Sequence, residues 1–213
     1  MWDPYDPISY FAHIAIGFLA YGAGVVALST VKGSSRHILA GRVYVAAMII
    51  PVATTIVFMF TRFLPLILVM TVAVIYLIAS GVLAFRSTEP YARPLHAVLL
   101  VLPLALSLFA GLALARSLRG GAVALLPGQF LIFAIFAGLA VGDARVLRRW
   151  PADSNAWTRR HLWRMVFSFA FATMAILRIG IDAGIPFEMS VWLPLVLALL
   201  AGAYFDRRLE SVD

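Results

Sequence analysis

Apolar residues run along this chain in blocks of about 20, the length a helix needs to cross roughly 30 Å of hydrocarbon. Seven such blocks are legible, at about 8–30, 43–63, 64–85, 95–116, 121–144, 161–182 and 189–205. They leave almost nothing over for a soluble domain. The pattern predicts an all-α fold: one integral membrane domain over residues 1–213, a bundle of seven transmembrane helices. The connections differ in kind. TRFLP (61–65) and SLRGG (117–121) are very short, whereas RVLRRWPADSNAW (145–157) is longer and basic. Prolines 51, 65, 94, 103, 127, 151, 186 and 194 predict helix starts, or kinks where they fall inside a span. Gly17 and Gly24 in the first span, and Gly138 and Gly142 in the fifth, predict close helix contact.

Composition strengthens this reading. Hydrophobic residues make up 63% of the chain and charged residues 13%, and the mean hydropathy is +0.96; an ordinary soluble domain carries about 25% charged residues. The opening MWDPYDPISYF has neither a basic n-region nor a small-residue cleavage site, so the first span is expected to be retained. The absence of cysteine excludes disulfides, thiolate catalysis and iron–sulfur ligation.

The net charge of +7 is distributed as membrane topology requires and not as a nucleic-acid footprint. With the acidic N-terminal segment (Asp3, Asp6) outside, the inner segments 31–42, 86–94, 145–160 and 206–213 hold 12 of the 17 basic residues: Lys32, Arg36, Arg42, Arg86, Arg93, Arg145, Arg148, Arg149, Arg159, Arg160, Arg207 and Arg208. Arg164 lies just inside the sixth span. Arg62, Arg116, Arg119 and Arg178 remain outside. The positive-inside rule then sets the N-terminus out and the C-terminus in.

Candidate chemistry gathers at the inner ends of the even spans. SSRHILAGRVYV (34–45), ARPLHAVLLV (92–101) and TRRHLWRMVF (158–167) each place a basic residue shortly before a histidine. His37, His96 and His161 thus fall at one predicted depth, with Asp143 at the same level. His161, Arg164, Met165 and Ser168 share one helix face. His37, Gly41 and Tyr44 share another. A charge set inside a membrane helix, as Arg164 is, normally faces a bundle interior, a cavity or a partner; simple snorkelling of Arg and His to lipid head groups is the plainer alternative. His13 lies near the outer face, with Asp3, Asp6, Asp182 and Glu188 expected close by, and cannot join the inner cluster.

Several activities are excluded. The single lysine, Lys32, is in a loop, which rules out a retinal Schiff base in a late helix. HExxH, HxxxH and GxSxG are absent, as is any Gly-rich phosphate loop. Three chemistries survive. Haem b or a quinone would use histidine ligands and arginines at one depth. A zinc-dependent intramembrane hydrolase would use His37, His96 and His161 as metal ligands, against the repulsion of nearby arginines. An anion-binding, transporter-like protein would use the arginines and the helix N-termini aimed at the site. Redox chemistry at His37, His96, His161, Arg42, Arg164 and Tyr44 is the preferred expectation. Interrupted half-helices of the kind that build transporter sites are not seen. A structural subunit whose basic face meets anionic lipid or a protein partner is the remaining alternative.

The same residues carry a likeness. HILAGRVYVAAM (37–48), DARVLRRW (143–150) and RRHLWRMVFSFAFATMAILRI (159–179) resemble a bacterial family of predicted membrane proteins, domain of unknown function 2306, and the first span with His13 and Gly17 is similar to that family's opening. The resemblance implies a multi-pass protein of a bacterial inner membrane. It also implies signature positions at His37, Gly41, Arg42, Tyr44, His161, Trp163, Arg164 and Met165, with no activity attached. The outline resembles small multi-helix b-type cytochromes in architecture alone.

Overall fold

In a lipid interior every backbone N–H and C=O must be satisfied within the chain, so apolar segments of this length become helices. The computed structural model describes residues 7–61, 63–150, 154–177, 184 and 186–210. Among these the regular structure is helical throughout: α1 (Pro7–Ser29), α2 (Ser35–Thr61), α3 (Pro65–Leu83), α4 (Ala92–Leu99), α5 (Val101–Gly120), α6 (Leu126–Arg148), α7 (Ser154–Ala175) and α8 (Phe187–Glu210). Short 3₁₀ turns occupy Ala84–Arg86 and Val123–Leu125. Asp3, Asp6, Arg62, Pro151, Arg178 and Asp182, which figured in the topology and in the expected surroundings of His13, lie outside the described residues.

Among the described residues, six helical stretches are long and apolar enough to cross a membrane: Tyr10–Ser29, Ser35–Phe60, Pro65–Arg86, Ala92–Gly120, Val123–Arg148 and Phe187–Leu209. The expected span at 161–182 is not among them. Its helix, α7, begins earlier, at Ser154, and carries Arg159, Arg160 and Arg164. Other boundaries shift for local reasons. α2 starts eight residues before the expected 43 because the Ser34 hydroxyl accepts the His37 backbone N–H at 3.2 Å, capping the helix start. SLRGG is no loop; helix runs to Gly120 and ends on Gly121, whose φ of 71° few residues but glycine adopt readily. α4 and α5 form one stretch in which Leu100 keeps helical angles. The interruption follows from Pro103, which lacks the N–H that would reach the Leu99 carbonyl.

The chain divides into two compact units, Met1–Val74 and Ile75–Asp213, the division falling inside α3. In the first, α1 packs on α2. In the second, α5 packs on α6, α7 on α8, α6 on α8 and on α4, and the 3₁₀ turn Ala84–Arg86 on α7. The outward faces are apolar: Val98, Val101, Leu104, Leu108 and Leu112 make an exposed stripe along α4–α5, while His96, Pro103, Leu106 and Ala110 face inward. A helix apolar on both faces suits lipid on one side and protein on the other. α7 differs. Every described residue from Ala156 to Leu177 is buried or half-buried, so this helix is enclosed by its neighbours.

Gly138, Gly142 and Gly17 are not points of tight helix approach. A Cβ on Gly138 or Gly142 would meet nothing within 4 Å, and one on Gly17 would make only ordinary contact with Pro51 at 3.7 Å. A Cβ on Gly202 would lie 2.4 Å from the Trp163 ring, and one on Gly81 3.1 Å from Arg164 Cβ and Met165 Sδ. α7 is therefore flanked by a tight approach at Gly81 and by a position, Gly202, where a methyl would force Trp163 to shift.

Candidate functional site

Enclosure of α7 turns two of its three arginines inward. Arg160 and Arg164, four residues apart, share a face and are 7% and 4% exposed. Asp143, near the end of α6, meets them and is 1% exposed. Its Oδ1 accepts Nη1 of Arg160 at 2.8 Å and also Nη2 of Arg164. Its Oδ2 accepts the Tyr76 hydroxyl at 2.7 Å. Tyr76 and Ser80, one turn apart on α3, both serve Arg164: Nε donates to Ser80 Oγ at 3.1 Å, and the guanidinium carbon lies 5.3 Å from the Tyr76 ring centre. Ionised groups leave water at a cost of several kcal/mol each; here each is met by an opposite charge, a hydroxyl or an aromatic face.

Arg160 makes a second contact. Its Nη2 donates to Nδ1 of His96 at 3.1 Å. A guanidinium has only donors, so Nδ1 must be the accepting nitrogen and the ring proton of neutral His96 sits on Nε2. His96 is the inward residue of α4, one turn after Ala92, and is 1% exposed. Its ring lies 5.3 Å from Trp157, at an interplanar angle of 24°, and 5.6 Å from Trp150. Two donors in this corner, His96 Nε2–H and Arg160 Nε–H, are buried without an acceptor among the described residues. Asp143, Arg160 and Arg164 sum to one positive charge in excess, with His96 neutral.

His161 points elsewhere. It is half-buried; Nδ1 donates to the Gly81 carbonyl at 3.0 Å, and the ring lies 4.6 Å from Phe85. A carbonyl only accepts, so the lone pair of a neutral His161 is on Nε2. In the first unit His37 repeats this geometry, donating from Nδ1 to the Ala27 carbonyl at 2.9 Å. Tyr44 is buried and Arg42 exposed, so Arg42 does not take part in a buried site. Lys32 caps α1, its Nζ donating to the carbonyls of Ala27, Leu28 and Thr30, and partial burial lowers its pKa below the ordinary lysine value. His13 Nδ1 bonds Thr54 Oγ1 at 2.8 Å, in the stretch of α2 next to Pro51.

The second unit thus brings together Arg164, His96 and Asp143 from the expected set. It adds Tyr76, Ser80, Arg160, Trp150 and Trp157, which the sequence reading did not single out. Arg160 was counted with the basic loop, although its spacing of four from Arg164 signals a common face. Tyr76 and Ser80 carry the same spacing inside an apolar helix. For zinc, no group of three His, Asp or Glu side chains placed to hold a metal ion occurs among the described residues, so the set His37, His96 and His161 finds no such cluster. Within the second unit the reason is local: His96 is committed to Arg160, and His161 to Gly81.

No family model matches the chain, and no curated protein or solved structure matches it.

Proposed function

We propose that this chain is a multi-pass protein of a bacterial cytoplasmic membrane, a member of the family it resembles, with seven spans and its N-terminal side outside. In this reading α7 is the sixth span in chain order, the one that brings the count to seven, shielded from lipid by its neighbours. We further propose that its second unit binds a small ligand bearing an oxygen acceptor at the edge formed by Arg160 and His96. One observation carries this: two neighbouring N–H donors, both buried and both without an acceptor among the described residues. Leaving such a donor unmet costs about 1–3 kcal/mol, so buried donors are normally met by protein, water or ligand. A quinone carbonyl is one such acceptor, and a quinone here would give the protein a redox role.

Haem b is a second reading, and the tautomer of His161 favours it. A ligating imidazole commonly donates one ring N–H to a carbonyl and offers the other nitrogen to the metal. His161 makes the carbonyl bond of such a ligand through Gly81, and His37, in the other unit, makes it through Ala27. Zinc hydrolysis is less well supported, because the cluster carries excess positive charge. The basic segments around Arg93, Arg145, Arg148, Arg207 and Arg208 suit anionic lipid head groups on the inner face.

The tests are direct. The absorption spectrum of the purified protein separates haem from the rest: a Soret band that shifts on reduction and disappears in His161→Ala establishes haem b. For the proposed site, a short-chain quinone or an oxygen-bearing anion is expected to raise the thermal midpoint, and Arg160→Gln to reduce that rise. Absence of any response to either class removes the ligand reading. Because the chain has no cysteine, single cysteines at Ser87 and Ala122 report topology cleanly. Labelling of Ser87→Cys, but not Ala122→Cys, by an impermeant reagent added outside intact cells would overturn the orientation.

A further inference from the structure

We infer that the ligand of the Arg160–His96 edge is an oxyanion, the monoanion of a carboxylate or phosphate ester, and not a neutral carbonyl compound. This rests on the reading that the cluster binds a ligand and adds what charge that ligand carries.

The surplus charge has a definite place in the cluster. Asp143 is the carboxylate that meets both arginines, and both of its oxygens are engaged: Oδ1 by two guanidiniums and Oδ2 by Tyr76. Arg164 is the better covered of the two arginines, having Asp143, the Ser80 hydroxyl and the Tyr76 ring around it. Arg160 shares the same carboxylate but otherwise meets a neutral imidazole and, more distantly, the Trp157 ring at 5.9 Å. The uncompensated charge is therefore centred on Arg160. Arg160 is also the residue whose Nε–H lacks an acceptor, and it holds His96, whose Nε2–H lacks one too. Unmet charge and unmet donors coincide.

That coincidence discriminates between occupants. Water would accept from either donor and leave the charge unmet. A quinone carbonyl would do the same. An oxyanion accepts from the Arg160 Nε–H and cancels the charge, and hydrogen bonds between ionised partners are roughly twice as strong as neutral ones. His96 then acts as a positioning residue, accepting from Arg160 Nη2 and so fixing where the guanidinium presents its Nε–H. Trp150 and Trp157 against the His96 ring add aromatic surface beside the anion.

The test uses the full chain in nanodiscs of phosphatidylcholine, titrated with benzoate, its neutral isostere benzamide, and inorganic phosphate. Tryptophan emission and the thermal midpoint are the readouts. Benzoate or phosphate is expected to bind at least tenfold more tightly than benzamide. Arg160→Gln leaves Asp143 and Arg164 as a neutral pair, so in that variant the preference for benzoate should disappear. His96→Phe, which keeps a ring between the tryptophans, should weaken anion binding at least tenfold. A response obtained only when phosphatidylglycerol is added to the discs identifies the oxyanion as a lipid head group; a response to free benzoate or phosphate identifies a small solute. Benzamide binding as tightly as benzoate overturns the oxyanion and leaves the ligand reading standing. No response to benzoate, benzamide, phosphate, phosphatidylglycerol or a short-chain quinone removes the ligand reading itself. Asp153, outside the described residues, is the one acidic residue of the α6–α7 connection. Benzoate binding that arises only in Asp153→Asn would mean the chain supplies its own carboxylate, and the inference would be wrong.

Discussion

The two units handle polar groups inside apolar helices in different ways. In the first, polar side chains lean on nearby backbone: His37 on the Ala27 carbonyl ten residues away, Thr54 and Thr55 on the carbonyls of Ile50 and Pro51, Lys32 on the last turn of α1. The exception, His13 with Thr54, joins two helices that are adjacent in sequence. In the second, serines and threonines lean on nearby carbonyls in the same way, but the buried charges are met by residues far apart in the chain: Tyr76 to Asp143, Arg160 to His96 and Arg164 to Ser80 span 67, 64 and 84 residues. Local bonds satisfy a group wherever its helix goes. Long-range bonds between buried charges exist only when α3, α4, α6 and α7 are assembled, so they tie the charge balance to the tertiary structure. A hairpin can tolerate polar residues singly; the bundle has made them interdependent.

The sharpest way to break this contrast is Asp143→Ala. It strips the carboxylate from two buried arginines, and losing one partner of a buried pair costs about 3–5 kcal/mol. A steep fall in thermal midpoint or in folded yield is expected; a variant as stable as the parent would show that the network does not hold the second unit together. Gly202→Ala tests the enclosure of α7, because the new methyl would lie 2.4 Å from the Trp163 ring. Overpacking of this kind costs about 1–3 kcal/mol, and Trp163→Leu in the same chain should recover much of it. Tyr76→Phe deletes a single bond to Asp143 and leaves the ion pairs in place, for a loss of about 1–2 kcal/mol in the midpoint measurement. His37→Ala in the first unit removes one half-buried bond to a carbonyl, and its cost should not exceed that of Tyr76→Phe, about 0.5–1.5 kcal/mol; a larger loss would mean that the hairpin is no simpler than the bundle. Smallest of all is Arg159→Ala. Its pairing with Asp206 at 3.1 Å is 41% exposed on the arginine side, and exposed pairs contribute at most about 1 kcal/mol.

What the sequence determined by itself follows from the bilayer as solvent. Block length and apolar content predict helices, because no other local structure satisfies the backbone in hydrocarbon, and the structure describes helices over those blocks. Arg164 was legible as an inward-facing charge for the same reason: one arginine in an apolar helix needs a partner. The identity of that partner was not legible. Asp143, Tyr76, Ser80 and His96 come from three other helices, and nothing in their own neighbourhoods indicates which face α7 will receive. Arg160, read as part of a basic loop, turned inward because α7 begins at Ser154 and is covered on all sides. The histidines show the same division. Their spacing grouped His37, His96 and His161 as equals, yet the tautomer and role of each depend on what its Nδ1 meets: an arginine for His96, a carbonyl for the other two. Periodicity and hydropathy are properties of a segment and can be read from it. Charge compensation and proton position belong to the contacts between segments, and only the packed structure decides them.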